Sequence, residues 1–330
     1  MLAQSQEWLE WAAYNIAVGV SETAVKEEIL KSGLTEGEFS SFLSSLKSSP
    51  EFRAMKKLSR KYKLACDLNE ALIALESEVF NFNEISRIEG LPPDEFLLKF
   101  YAANRPVILT DIASKWPAVE KWSLEFLSET YGEEPIVYQN GRSADDHRDS
   151  FVDHTVKGTL GDYIKLIQNV PAGVNPPYLI AHDRLLDRAS FKPLLNDVVF
   201  DDRYLSAHDS HGRVFFWLGP ALSSTPMHRD LGNVYMAQIA GRKLIRMVPS
   251  KEIQFIYNEI GYHSEADFDN LALDKFPLLR NAHIMEFTLH PGEFLFIPVG
   301  WWHFVKSLDT TITVTGNNFR FLNNLRPIFE

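Results

Sequence analysis

The sequence predicts an α+β protein, with a helical N-terminal region over residues 1–78 and a β-barrel domain with flanking helices over residues 79–330. Three observations carry this expectation. Up to about residue 78, apolar residues recur at helical spacing with almost no strand pattern. Beyond Arg105, short apolar or alternating runs are separated by Pro- and Gly-containing turns. Two of these runs also carry histidines, one of them with an aspartate two residues on, at positions suited to the ends of strands.

Composition bounds the reading. A chain of 330 residues holds one large domain or two. Its 45% hydrophobic content is ample for a core, and 23% charged is ordinary for a soluble protein. A net charge of −11 and a pI near 5.4 argue against nucleic acid or an anionic membrane as partner. The single cysteine, Cys66, excludes an intrachain disulfide and suits a reducing compartment. The first twenty residues contain Glu7 and Glu10 and lack a basic start, so they do not read as a signal peptide. No apolar run approaches the ~18 residues of a bilayer span. The expectation is a cytoplasmic protein.

Taken in order, Trp8, Trp11 and Ile16 suggest a first amphipathic helix, and Ser21 opens a second that Gly33 ends. Thr35-Glu-Gly-Glu38 reads as a capping box ahead of Phe39, Phe42, Leu43 and Leu46. Ser48-Ser-Pro50 breaks the chain before a helix through Phe52, Met55, Tyr62 and Cys66 towards Leu75. On that helix Arg53, Lys56, Lys57, Arg60 and Lys61 share a face. It would suit an acidic peptide or a phosphate backbone, but a solvated helix face is the preferred reading. The region as a whole is read as a docking, packing or homodimer-forming element.

Leu91-Pro-Pro-Asp94 starts the next unit, with a helix through Phe96, Leu97 and Phe100, then a strand from Arg105 to Thr110. Ser123 caps a helix to Tyr131, and Ile136-Val-Tyr138 is a short strand. Residues 140–154 turn polar, and they read as a surface loop or a lid. A helix from Gly161, strands at Tyr178–Ala181 and Val214–Leu218, and a strand over Val234–Ala240 follow. Residues 251–282 lack a period and read as an insertion passing near the barrel mouth. Phe294–Ile297 and Thr311–Thr315 complete the strands. His182, His208, His211 and His290 read as loop or surface histidines.

The chemistry sits in two stretches. In Thr225-Pro-Met-His-Arg-Asp230, His228 and Asp230 are two apart, so on a strand both face one way. An imidazole and a carboxylate are two of the three ligands of a 2-His-1-carboxylate iron site. The second stretch, His290-Pro-Gly-Glu-Phe-Leu-Phe-Ile-Pro-Val-Gly-Trp-Trp-His303, has the spacing G-x5-P-x-G-x2-H. That spacing is a signature of cupin barrels, in which distant strand ends meet, and His303 supplies a third ligand.

These stretches resemble the JmjC-type (cupin-8) Fe(II)- and 2-oxoglutarate-dependent oxygenases, and most of all the hydroxylase branch that includes factor inhibiting HIF. The similarity runs over about residues 80 to 320, including Arg105-Pro-Val-Ile-Leu-Thr and Trp116-Pro-Ala-Val-Glu-Lys-Trp. It implies a double-stranded β-helix (jelly-roll) with His228, Asp230 and His303 holding Fe(II). It further implies that Lys243, Thr225 and Tyr178 bind the distal carboxylate of 2-oxoglutarate. The cosubstrate takes two metal positions and O2 the last, and its oxidative decarboxylation drives hydroxylation of a substrate C–H bond. The family usually has Asn six positions after the first histidine. Here Val234 stands there with Asn233 one earlier, so Asn233 replaces that contact through a shorter loop or the contact is lost. Asn317, in Gly316-Asn-Asn318, is a further candidate for the cosubstrate.

By itself Lys243 reads either as an inward lysine needing an anion or as an outward, solvated one. The resemblance selects the inward reading. The implied reaction is hydroxylation of an amino-acid side chain in a peptide or protein. N-methyl-lysine demethylation and a small-molecule or RNA-modifying oxygenase are the alternatives of the same fold. The alternative of another class is a non-catalytic cupin-like binding module, against which all three ligands and the lysine stand.

Overall fold

The computed structural model describes residues 2–141, 154–171, 175–258, 261–323 and 325. It divides into two compact units, Met1–Glu76 and Ser77–Glu330.

The first unit contains α1 (Leu2–Val18), α2 (Glu22–Lys31), α3 (Glu36–Ser48) and α4 (Pro50–Glu76). Their ends follow the local chemistry. Ser21 Oγ accepts from the Ala24 amide at 3.2 Å and opens α2. The Thr35–Glu38 box is closed both ways, at 3.3 Å to the Glu38 amide and 2.8 Å from the Thr35 amide. Ala12, Ile16, Val25, Ile29, Phe39 and Phe52 form its core. The basic residues of α4 are exposed, as a solvated face requires.

The second unit is a double-stranded β-helix. Its strands are β1 (Arg87–Ile88), β2 (Val107–Leu109), β3 (Pro135–Gln139), β4 (Thr155–Thr159), β5 (Val214–Gly219) and β6 (Ser224–Arg229). They continue with β7 (Val234–Ala240), β8 (Lys243–Val248), β9 (Met285–Leu289), β10 (Phe294–Ile297), β11 (Trp302–Ser307) and β12 (Thr311–Gly316). One sheet has the order β1-β2-β10-β7-β12-β5, the other β6-β11-β8-β9, and β3 pairs with β4. Gly241, at φ +66°, makes the tight β7–β8 turn, where any side chain would strike the Thr310 carbonyl.

Strand alternation assigns the two faces. On the larger sheet Val214, Phe216, Leu218, Tyr235, Ala237 and Val314 point into the main core with the flanking helices. Phe215 and Trp217 point the other way, into a cavity between the sheets. On the smaller sheet Met227, Val248, Trp302 and Phe304 pack outward against Ile256, Phe268, Phe276 and Leu279. The 251–282 insertion therefore mostly backs the outer face of this sheet, because its aromatic residues complete a second core there. Among its described residues, the Tyr262–Ser264 part reaches the mouth, where the Arg229 amide donates to Tyr262 O and the Ser264 amide to Met227 O.

The strand expected at Tyr178–Ala181 is shorter than expected. Bridges form at Tyr178 and Leu179 only. The chain then tightens into a 3-10 turn at Ala181–Asp183, held by Asp183 Oδ1, which accepts from the Val137 amide at 2.7 Å. Of the polar loop at 140–154, residues 142–153 lie outside the described residues.

Phe96 tests the main core. It is fully buried, with ring centroids 5.1 Å from Phe296 and 5.3 Å from Tyr204. Phe96→Ala is expected to destabilise the barrel unit by about 3–5 kcal/mol. Leu98→Ala, at a residue 71% exposed, should change stability by less than ~0.5 kcal/mol. Denaturant unfolding followed by tryptophan fluorescence distinguishes them.

Candidate active site

His228 lies near the end of β6 and His303 second in β11, directly paired across the sheet, with ring centroids 4.1 Å apart. Asp230 follows β6, and its carbonyl accepts from the Gly300 amide at 3.2 Å. One ligand atom from each of the three residues lies within 4.8 Å of the others, and His303 Nε2 is 3.6 Å from Asp230 Oδ2. His228 Nδ1 is 2.8 Å from Pro226 O, and His303 Nδ1 is 3.1 Å from Trp301 O. A carbonyl can only accept, so each Nδ1 carries a hydrogen, which in the neutral ring leaves the Nε2 lone pair for a metal. Burial, and then the neighbouring His303, push the His228 imidazole down to about 4. It is neutral at pH 7, the form that ligates metal.

Thr225 is three residues before His228, a spacing that on a regular strand would face it away. Between His303 and Val305 the β6–β11 register shifts, so that three residues of β6 span two of β11. This bulge turns both Thr225 and His228 towards the cavity. Arg229, between the two ligands, points outward instead, with its guanidinium over Trp302 and Tyr262 at 5.4 and 5.6 Å.

Lys243, the first residue of β8, is 1% exposed. Among the described residues no carboxylate pairs with it, and Nζ donates to Tyr178 Oη at 3.1 Å. Burial pulls the ammonium down to about 7. The inward alternative is thus the one realised. Thr225, Tyr178, Lys243 and the triad line one cavity of about 1010 Å³. Asn317 also lines it, and its Oδ1 is buried with no partner among the described residues.

Asn233 is not brought into the cavity. Its Oδ1 accepts from the Val299 amide at 2.8 Å, and its backbone pairs with the Asn323 side chain. It ties the β6–β7 loop to Pro298-Val-Gly300, a structural task that leaves its amide no reach inward. Asn323 lines the cavity in this region, as do Tyr262 and His263. The His263 ring is 5.8 Å from that of His228. None of these three belongs to a motif; Tyr262 and His263 are placed only by the reading of 251–282 as an insertion near the mouth, and Asn323 by nothing in the sequence. His182, expected in a loop, lies in the 3-10 turn on the cavity rim.

The donor set suits a divalent transition metal with open positions: two imidazoles and one carboxylate. A buried lysine without a counter-ion among the described residues suits a polar, anionic small molecule beside it. Comparison with known proteins agrees. The model of the cupin-like domain family matches residues 93–319. The chain belongs to this family. Among its relatives, Lysine-specific demethylase JMJ30 of Arabidopsis thaliana is 28% identical over 239 residues, 70% of this chain and 54% of the relative. Lysine-specific demethylase 8 of Xenopus tropicalis is 29% identical over 228 residues, 67% of this chain and 50% of the relative. Jumonji C domain-containing protein 5 of Drosophila melanogaster is 26% identical over 243 residues, 70% and 59% respectively. The chain spans about half the length of these curated relatives. No helix among the described residues is long and apolar enough to cross a membrane.

The buried lysine gives a pH signature. Unfolded, Lys243 titrates at its ordinary 10.5; folded, at about 7. Between these values the unfolded chain binds the extra proton, so this lysine makes the ligand-free protein gain stability as pH rises from 7 to 10.5. Below pH 7 its full cost is present. Lys243→Met should remove this rise, and the difference between the two melting-temperature curves over that range measures it.

Proposed function

We propose that this protein is an Fe(II)- and 2-oxoglutarate-dependent dioxygenase that hydroxylates an amino-acid side chain within a peptide or protein. The observation that carries the reading is the pairing of a complete His228/Asp230/His303 donor set with a buried Lys243 that has no carboxylate partner among the described residues. Fe(II) with 2-oxoglutarate and O2, when bound, supplies an oxidant strong enough to oxidise an unactivated C–H bond.

The chain's own residues prepare that chemistry. The Pro226 and Trp301 carbonyls hold the two imidazoles in the ligating tautomer. Lys243, with Tyr178 and Thr225 beside it, would receive the distal carboxylate of the cosubstrate, and its ammonium would regain its proton in that ion pair. Asn317 lines the same cavity, where its side-chain NH2, the donor of the amide, would face the cosubstrate. Phe215 and Trp217 form an apolar wall that limits water near the reacting carbon.

N-methyl-lysine demethylation is the second reading, and the names of the Arabidopsis and Xenopus relatives favour it. Both reactions begin with the same hydrogen abstraction and differ in product. Hydroxylation leaves one oxygen atom on the peptide, whereas an oxidised N-methyl group leaves as formaldehyde.

The first test needs no substrate. Under anaerobic conditions, Fe(II) followed by 2-oxoglutarate should give a visible charge-transfer band in the wild type. His228→Ala should abolish it, and Lys243→Ala should require at least tenfold more cosubstrate, about 1.4 kcal/mol. A well-folded wild-type protein without the band would sink the dioxygenase reading. Mass spectrometry of peptide products together with a formaldehyde assay then decides between the two reactions.

A further inference from the structure

The cavity rim carries cationic groups that neither the metal set nor the lysine pocket uses. Arg213 immediately precedes β5 and shares its parity with Phe215 and Trp217, so it belongs to the cavity face. It stands at the mouth: Val214 pairs with Gly316, and the Asn317 amide donates to Arg213 O at 3.0 Å. Tyr178 packs at the other end of β5, against Gly219, roughly 20 Å along the strand. Arg213 is therefore too far from Lys243 to share its anion. It is exposed, and among the described residues its guanidinium has no ion pair.

Its position is built rather than incidental. Asp187 Oδ1 accepts from the Gly212 amide at 2.8 Å, while Asp187 Oδ2 accepts from Arg184 Nε at 2.9 Å. One carboxylate thus fixes the turn before Arg213 and lays Arg184 beside it. The Arg184 guanidinium lies close against Gly212, with 2.8 Å to the point a β-carbon would occupy there. Arg184 itself holds a left-handed backbone at φ +50°, a conformation maintained here by its surroundings.

We infer that Arg213, supported by Arg184, is a specificity residue that receives a carboxylate of the substrate. The substrate class is a peptide with an aspartate or glutamate close to the residue that enters the cavity. This rests on the dioxygenase reading for what happens to the peptide, though not for the binding itself. The charges of Fe(II) and Lys243 are matched by those of Asp230 and a dianionic cosubstrate. Among the described residues, Arg213 therefore remains uncompensated in the loaded site, where a planar guanidinium suits bidentate carboxylate recognition.

The test uses fluorescein-labelled peptide pools with a randomised centre, flanked on both sides by glutamate in one pool and by lysine in the other. Fluorescence anisotropy is recorded with the wild type, Arg213→Lys and Arg213→Glu, each checked for folding by circular dichroism. The wild type should bind the glutamate pool at least about tenfold more tightly than the lysine pool. Arg213→Lys should keep the preference, and Arg213→Glu should level or reverse it. Equal binding of the two pools by the wild type, including none, or a lysine preference, overturns the proposal. So does a glutamate preference that survives Arg213→Glu. The visible band recorded on the same samples reports the metal and cosubstrate site alone. Failure of the dioxygenase reading is thereby separated from failure of the charge preference.

Discussion

Keeping an ammonium group inside a β-barrel is the constraint on which the rest of this site depends. Lys243 lies between two sheets, and among the described residues its hydrogen bond is to the Tyr178 hydroxyl. A buried charge of this kind is expensive unless an anion joins it. The site is thus organised for a partner with negative charge at the deep end and oxygen donors for a metal at the other. The same feature makes the ligand-free protein less stable than a hydrophobic residue at this position would, a cost consistent with function at position 243 rather than with packing.

The geometry around the metal ligands comes from a departure from regular strand structure. Without the β6 bulge, Thr225 and His228 would lie on opposite faces, and the hydroxyl would face the outer core beside Met227. The bulge also leaves Arg229 outside, stacked on Trp302 and Tyr262, so the smaller sheet is sealed by its insertion. Active-site geometry and outer-core packing are thus alternate residues of one strand. A change in the insertion would be transmitted to His228 through the Arg229–Tyr262 and Met227–Ser264 backbone contacts.

Much of this was legible in the sequence, for identifiable reasons. The iron-binding pattern depends on residue type and short spacing, both of which a sequence displays directly. The helices of the first unit were readable because their caps are local, as Ser21 and Thr35 show. What was hidden depends on long-range contacts. Lys243 pointed inward because its parity on β8 is set by pairing with β9 and β11, which cannot be counted from the turn at Gly241. Asn233 looked like a displaced cosubstrate ligand, but its amide is taken by Val299, 66 residues away. His263 is near His228 only through an isolated bridge from an aperiodic segment.

The charge around the cavity also bears on how far the relatives' names carry. A methylated lysine is a cation, and its binding is favoured where aromatic faces or carboxylates surround the ammonium. Phe215 and Trp217 provide aromatic surface, yet among the described residues the carboxylate lining this cavity is Asp230, which belongs to the metal set. At the mouth, among the described residues, the Arg213 guanidinium has no ion pair, whereas that of Arg184 is paired with Asp187. A cationic side chain entering past them would meet like charge, whereas a neutral side chain flanked by a carboxylate would be drawn in. A shared fold and oxidant do not fix the substrate, because the reacting carbon is selected by whatever the rim holds in place. On the Arg213 proposal, the rim formed by the described residues would suit a substrate in an acidic sequence better than one in a basic sequence.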